Sequence, residues 1–320
     1  MNSIQPTTET HERHASGPGA SLKAKDPATP QAPELTERPQ DCAGVKAYYN
    51  HKTASILKKY GPGPRVHFHI GLYEKDPFRP GLDMEQLRTE ITSAQERMVA
   101  HAAEVWEADW ALSGDILDVG CGLGGGSLYW AAEHGARVTS VTIASEHIEL
   151  IQSFAAQAGV ANRIETVLSD CCEVPTGRRY DGAVAMESAC YFPRWKWFRH
   201  LAELIRPGGF VCIEDTFLGS PEWKTPFDNY WHTDIAPVDE YVSAARAAGF
   251  VLDRAEDVTQ LTTPFWLQSA AWSKRMLASG KLSDLEAARL RTSIDWHHQF
   301  SRAWKEGAID VQLLRFRHRG

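Results

Sequence analysis

The chain has 320 residues, with 34 Lys and Arg against 41 Asp and Glu, a formal charge of −7 and 43% hydrophobic side chains. That length holds one large α/β domain, or one domain with an added helical layer, around a sizeable core. An acidic balance with no basic block argues against DNA or RNA as the main substrate, and no apolar run approaches the roughly 18 residues of a membrane span.

Residues 1 to about 40 are rich in Thr, Pro, Ser, Ala and charge, with almost no large apolar side chain. Such a composition cannot offset its ordering entropy, and a disordered tail is expected. It carries no apolar core of a signal peptide, so the expected location is cytoplasmic. From Asp41 to Tyr60 the apolar positions Val45, Tyr48, Tyr49, Ile56 and Leu57 predict a helix, which Gly61-Pro62-Gly63-Pro64 stops. A loop, Arg65-Val66-His67-Phe68-His69-Ile70-Gly71, follows. A longer helix opens at Asp83, with Gln86 as its capping-box partner. Its stripe of Leu87, Ile91, Ala94, Met98, Ala102 and Val105 has the spacing of one helix face. Residues 41–112 are thus expected to form a helical cap, and 113–320 the main domain.

The α/β pattern proper begins at Asp115. Strands are predicted at 115–119, 137–142, 164–168, 182–186 and 209–214, with helical stretches between them, which implies βαβ units and a mainly parallel sheet. A helix near 237–248, a strand near 250–257 and a last strand near 308–316 follow. Residues 262–305, with Trp266, Trp272, Trp296 and Trp304, read as a helical insertion before that last strand. The six cysteines, Cys42, Cys121, Cys171, Cys172, Cys190 and Cys212, lack C-x-x-C spacing and read as reduced structural thiols.

The most informative stretch is Ile116 to Gly126. A short buried strand ends in Asp118, and a turn with Gly120, Gly122 and Gly124 lets the backbone approach a ligand where a Cβ would clash. Its form, D-x-G-C-G-x-G-G, resembles motif I of the class I S-adenosylmethionine-dependent methyltransferases. The resemblance implies a seven-stranded Rossmann-like sheet, S-adenosylmethionine as cofactor, and a glycine turn against the cofactor's methionine end. A dehydrogenase would need G-x-G-x-x-G instead. Ligands of such sheets sit beyond the carboxyl ends of the strands. At the second strand the usual ribose-holding acid is replaced by Thr142, the ribose-side candidate. After the third, Asp170 is the candidate for the adenine amino group.

The acceptor decides what else is needed. Oxygen or nitrogen needs at most a base. An alkene carbon leaves a carbocation, which calls for aromatic faces, a dry pocket and a carboxylate to take a proton. Glu187, just after the fourth strand in A-M-E-S-A-C-Y-F, and Trp231, in an aromatic-dense stretch, supply those parts beside Tyr191 and Phe192. The runs V-H-F-H-I-G and A-M-E-S-A-C-Y, with Trp231, T-T-P-F-W and the terminal strand, resemble the geranyl diphosphate C-methyltransferase group over roughly residues 41 to 318. That resemblance implies Glu187 as general base and Trp231 facing the cation. It also implies a prenyl diphosphate held by Tyr49, Asn50, Arg65, His67 and His69, with Mg²⁺ bridging the diphosphate and Asn50 as a candidate ligand. The H-x-H pair departs from the group's three consecutive histidines and leaves prenyl chain length open. The alternative acceptor is a prenylated aromatic or other small natural product, without diphosphate or Mg²⁺. A binding protein without chemistry is disfavoured by the intact turn together with Glu187. The aromatic 262–305 region is compatible with a homo-oligomer or with an occluded monomer.

Overall fold

In the computed structural model residues 42–74 and 81–320 are described; the expected tail lies outside them. The helices are α1 (Cys42–Tyr60), α2 (Met84–Trp106), α3 (Ala108–Ala111), α4 (Gly125–Glu133), α5 (Ser145–Gln157), α6 (Arg194–Leu204), α7 (Lys224–Trp231), α8 (Val238–Ala247), α9 (Thr259–Thr262), α10 (Pro264–Ala278) and α11 (Asp284–Lys305). The strands are β1 (Asp115–Val119), β2 (Arg137–Thr142), β3 (Ile164–Leu168), β4 (Tyr180–Met186), β5 (Ile205–Leu218), β6 (Phe250–Asp257) and β7 (Ile309–His318).

They form one sheet of seven strands in the order β3-β2-β1-β4-β5-β7-β6. Neighbours from β3 through β5 pair in parallel, and β7 runs antiparallel between β5 and β6. The strand order reverses between β1 and β4, the switch point at which open α/β sheets bind ligands. This is the class I methyltransferase sheet expected from the glycine turn.

Period-2 alternation divides the core into two layers. Ile116, Val184, Phe210 and Cys212 point to the side covered by α2, α4, α10 and α11. Leu117, Ala183, Ala185, Val211 and Ile213 point to the side covered by α6 and α8. Helix α2 begins as read from sequence, and the 262–305 insertion divides into the end of α9, α10 and α11. Asp83 accepts from the backbone N–H groups of Glu85 and Gln86, and Gln86 Oε1 accepts from the Asp83 N–H in return. In α2 the stripe is buried through Ala102, but Trp106 is fully buried in the last turn while Val105 is half-buried. β5 starts earlier than the expected 209–214. Ile205 already pairs with Tyr180, and Pro207-Gly208-Gly209 breaks the sequence signal without ending the strand.

Arg315 of β7 ties the sheet to α2. Its guanidinium is buried, donates to Asp253 at 2.8 Å and to Glu107 at 3.0 Å, caps the Trp106 carbonyl, and lies 5.0 Å from the Phe210 ring. Arg315→Ala uncaps the Trp106 carbonyl and removes the partner of Asp253, while Glu107 keeps Arg254, and is expected to cost about 1–3 kcal/mol, read as a lower urea midpoint with an unchanged m-value.

Candidate functional site

At the carboxyl end of β1 the chain must turn sharply into α4 while leaving room for a ligand. Gly120, Gly122 and Gly124 all take left-handed backbone conformations. At Gly120 a Cβ would also stand 2.5 Å from Ser188 Cβ. At Gly125 it would stand 2.5 Å from the Val66 carbonyl oxygen and 2.8 Å from His67 Nδ1. The glycines therefore form a cradle pressed between β4 and the 61–70 loop. Asp118 is held beneath it by a buried relay: Ser140 Oγ donates to Ser127 Oγ at 2.7 Å, which donates to Asp118 Oδ2 at 2.6 Å. Burial raises the Asp118 carboxyl to about 6, offset in part by Ser127.

A cavity opens over this cradle. Asp118, Gly120, Gly122, Thr142, Asp170, His67, Tyr191 and Phe192 all line it, so most cofactor candidates meet in one place. Gly124 shapes the turn without forming part of the wall. Thr142 Oγ1 accepts from the Ala144 N–H at 3.1 Å, and Asp170 Oδ1 accepts from the Cys172 N–H at 2.8 Å, which fixes both side chains at the β2 and β3 ends. His147 of α5 also lines the cavity, with Nε2 3.1 Å from Thr53 Oγ1. Nothing in the sequence had singled it out.

A second cavity lies alongside. The two share Tyr49, Phe68, His69, Glu187 and Tyr191 as a common wall. Beyond that wall the second cavity is lined by Tyr60, Phe227, Trp231, Phe265 and Trp266, with Asp215 and His297 as its titratable groups. Trp231, the last residue of α7, stacks on Phe300 with ring centroids 6.1 Å apart and planes 22° apart.

Glu187 itself is built by the backbone. It sits at φ +44° directly after β4, its N–H donates to the Glu214 carbonyl at 2.7 Å, and its Oε1 accepts from the Ile70 N–H at 2.6 Å. A non-glycine residue in that conformation is held there by its surroundings. Burial raises the Glu187 carboxyl to about 8, with the nearby Asp215 charge adding to the rise and the Ile70 hydrogen bond opposing it. Asp215 accepts from the N–H groups of Cys190 (2.8 Å) and Thr216 (2.7 Å); burial outweighs these bonds and lifts it to about 6. Glu214 is fully buried with neither carboxyl oxygen partnered among the described residues, and burial pushes it well above the carboxylate range. The adjacent acids of V-C-I-E-D-T-F were a legible signal, paired carboxylates inside an apolar strand, that the strand reading had passed over.

The loop between α1 and α2 does not gather an anion site as expected. Arg65 ion-pairs with Glu96 and Glu133 and lines neither cavity, so its charge is already balanced. His67 Nε2 pairs with Glu96 Oε1 at 3.1 Å and turns its other edge toward Gly125, on the cofactor side. His69 donates through Nδ1 to the Ile70 carbonyl at 2.9 Å, and burial lowers it to about 3, so it stays neutral. Tyr49 faces both cavities. The Asn50 side chain lies outside the described residues. The cations beside the second cavity are different ones. Lys59 Nζ lies 5.0 Å from the Tyr60 ring and 5.5 Å from Trp272. Burial and the neighbouring Lys52 lower Lys59 to about 7, and Lys52 is in turn lowered by burial and by Arg289. His297 is pushed well down by burial and by Lys59 and Lys52.

Residues 116–209 match the family model described as a methyltransferase domain. The chain is 30% identical over 198 residues to O-methyltransferase rstn1 of Aspergillus nomiae, covering 59% of this chain and 83% of that one. It is 29% identical over 208 residues to the 27-O-demethylrifamycin SV methyltransferase of Amycolatopsis mediterranei, covering 62% and 75%. Its fold superposes on geranyl diphosphate C-methyltransferase from Streptomyces coelicolor A3(2), solved with Mg²⁺, geranyl diphosphate and S-adenosyl-L-homocysteine. That match has a TM-score of 0.68 and 16% identity, over 87% of this chain and 97% of that one.

Gly125→Ala must push the Val66–His67 segment off the cradle, an overpacking worth about 1–3 kcal/mol. Calorimetric titration should show S-adenosylmethionine binding about tenfold or more weaker. Glu214→Gln tests the buried acid through its pH dependence. A carboxyl raised in the folded state leaves stability intact below its unfolded titration and erodes it as pH rises. The variant should therefore gain melting temperature over wild type at pH 8 relative to pH 5.

Proposed function

We propose a carbon methylation for this chain, which belongs to the class I S-adenosylmethionine-dependent methyltransferases: transfer of a methyl group to an alkene carbon of a prenyl diphosphate. The observation that carries this reading is Glu187 on the wall between a glycine-cradled cavity and an aromatic-lined one. The fold likeness to an enzyme that binds geranyl diphosphate supports it.

The cofactor cavity suits S-adenosylmethionine: a Cβ at Gly120 or Gly125 would fill the cradle, Asp118 faces its methionine end, and Thr142 and Asp170 face its ribose and adenine. When bound, the cofactor supplies an electrophilic methyl on a sulfonium. Tyr49, Phe68, His69 and Tyr191 position the acceptor's double bond against that methyl through the common wall, so proximity and alignment do much of the work. Methylation leaves a tertiary cation on the acceptor. Trp231, Trp266, Tyr191 and Phe68 offer π faces to it, with Phe192 backing the turn from the cofactor side. Ionised Glu187 removes a proton from the neighbouring carbon and restores the alkene. A carbocation is so strong an acid that the position of the base matters more than its strength.

The anionic head has a place as well. Lys52 and Lys59 of α1 and Arg289 of α11 lie near one another, and Lys59 packs on Tyr60, which lines the aromatic cavity. With Arg65 balanced by Glu96 and Glu133, they are the cations assigned to a diphosphate, while buried His297 stays neutral. Mg²⁺ has no ready protein cage: among the described residues the one group of three candidate ligands is Asp170, Cys171 and Cys172, whose thiols suit softer metals. Mg²⁺ would be carried by the diphosphate oxygens.

O-methylation of a natural-product hydroxyl is the second reading, favoured by the sequence relatives. In that case neutral His69, donating through Nδ1, presents the Nε2 lone pair toward the hydroxyl proton.

Labelled-methyl S-adenosylmethionine offered with isopentenyl, geranyl and farnesyl diphosphates, with Mg²⁺ or EDTA, separates the two. Mg²⁺-dependent gain of one methyl on a single chain length is expected. No transfer to any diphosphate, from protein that binds S-adenosylhomocysteine, overturns the reading. Glu187→Gln should lower C-methylated product about a hundredfold or more while S-adenosylhomocysteine still binds.

A further inference from the structure

Glu187 is asked to act as a base, yet its surroundings hold a proton on it. Every titratable group facing it is acidic or neutral. Glu214 and Asp215 come from β5, Cys190 and Tyr191 from the turn after β4, Tyr49 and Tyr60 from α1, His69 from the 61–70 loop, and His297 from α11 across the aromatic cavity. Asp118 lies on the far side of the cofactor cavity. Among the described residues none of the three carboxylates pairs with Lys or Arg, and the single hydrogen bond to the Glu187 carboxyl is from the Ile70 N–H.

One positive charge is missing from this arrangement, and the reaction brings it. A methyl that passes from the cofactor cavity to the aromatic cavity must cross the wall they share, so a bound sulfonium would stand at that wall, which Glu187 lines. We infer that Glu187 is the residue by which the site reads the cofactor's charge: S-adenosylmethionine expels the Glu187 proton as it binds, and neutral S-adenosylhomocysteine does not. The chemistry balances as carboxylic acid plus sulfonium giving a carboxylate–sulfonium pair and one proton to solvent. An opposite charge within a few ångströms lowers a carboxyl by roughly 1–3 pH units, enough to ionise a group that titrates near 8 in the free site.

The inference rests on the assignment of cofactor and acceptor to the two cavities made above. It rests on the prenyl reading only in its consequence: the base is created when a methyl donor is in place, and the acceptor's proton then resets it. The spent cofactor faces a protonated Glu187 and loses the attraction that held its charged form.

Isothermal titration of each cofactor at pH 7 in PIPES and in Tris, whose ionisation enthalpies differ, counts the protons. A group titrating near 8 is about nine-tenths protonated at that pH. Release of about 0.4–0.9 proton per S-adenosylmethionine, none per S-adenosylhomocysteine, and none for either with Glu187→Gln is the expected result. Equal proton counts for the two cofactors, or release that persists in Glu187→Gln, overturns the inference. Should that variant not fold, the wild-type pH profile decides. S-adenosylmethionine affinity should rise about two- to eightfold from pH 6 to 7 and level off above about 8, with S-adenosylhomocysteine nearly constant; parallel profiles overturn it. No acceptor enters these measurements, so failure of the prenyl reading would leave their outcome untouched.

Discussion

Three carboxylates buried without a cation constrain this site more than any other feature. Glu187, Glu214 and Asp215 stand together at the carboxyl ends of β4 and β5, and they cannot all ionise in so dry a place. Asp215 takes the charge most readily because two backbone N–H groups already point at it. Glu214, with neither oxygen partnered, keeps its proton. Glu187 falls between them, and its single hydrogen bond from Ile70 ties its state to a loop that also walls both cavities. An interior this costly is kept where chemistry uses it.

The rest of the fold serves to hold that cluster against a ligand. A parallel sheet brings the β1, β2, β3 and β4 ends to one edge, and the strand order reverses where Asp118 and Glu187 emerge. The glycine turn makes space on one side. On the other, α1, α7, α10 and α11 close an aromatic box in which Trp266 and Phe300 lie 4.8 Å apart and Trp266 and Trp304 4.9 Å apart. These long indoles give rigid walls, because each is packed on a neighbour in place of water.

The sheet was legible because its signals are local: short apolar runs, Gly and Pro punctuation, and a glycine motif whose spacing admits few alternatives. The capping box at Asp83 follows from the same short-range logic. Only the strand carrying Pro207-Gly208-Gly209 misled, since its pairing with β4 outweighs the breaker residues. The cavity over the glycine turn, which gathers Asp118, Thr142 and Asp170, was legible for the same reason. The surroundings of the 61–70 loop were not. Arg65 and two histidines in one loop read as a cationic cluster, and nothing nearby in sequence announces Glu96 and Glu133, which reach them from α2 and α4. Lys52, Arg289 and His297 come together only through the packing of α1 and α11, hundreds of residues apart in the chain. Long-range charge pairing leaves no periodic trace.

The wall common to the two cavities couples what occupies them. Tyr49, Phe68, His69, Glu187 and Tyr191 each touch both spaces, so a ligand in one that shifts any of these side chains alters the fit of a ligand in the other, and the reverse holds to the same degree. Neither binding constant would then be a property of one ligand alone. A substitution that reshapes one cavity at this wall also reshapes the other, and a change confined to the second cavity has to proceed through Trp231, Phe265 and Trp266, on the far side.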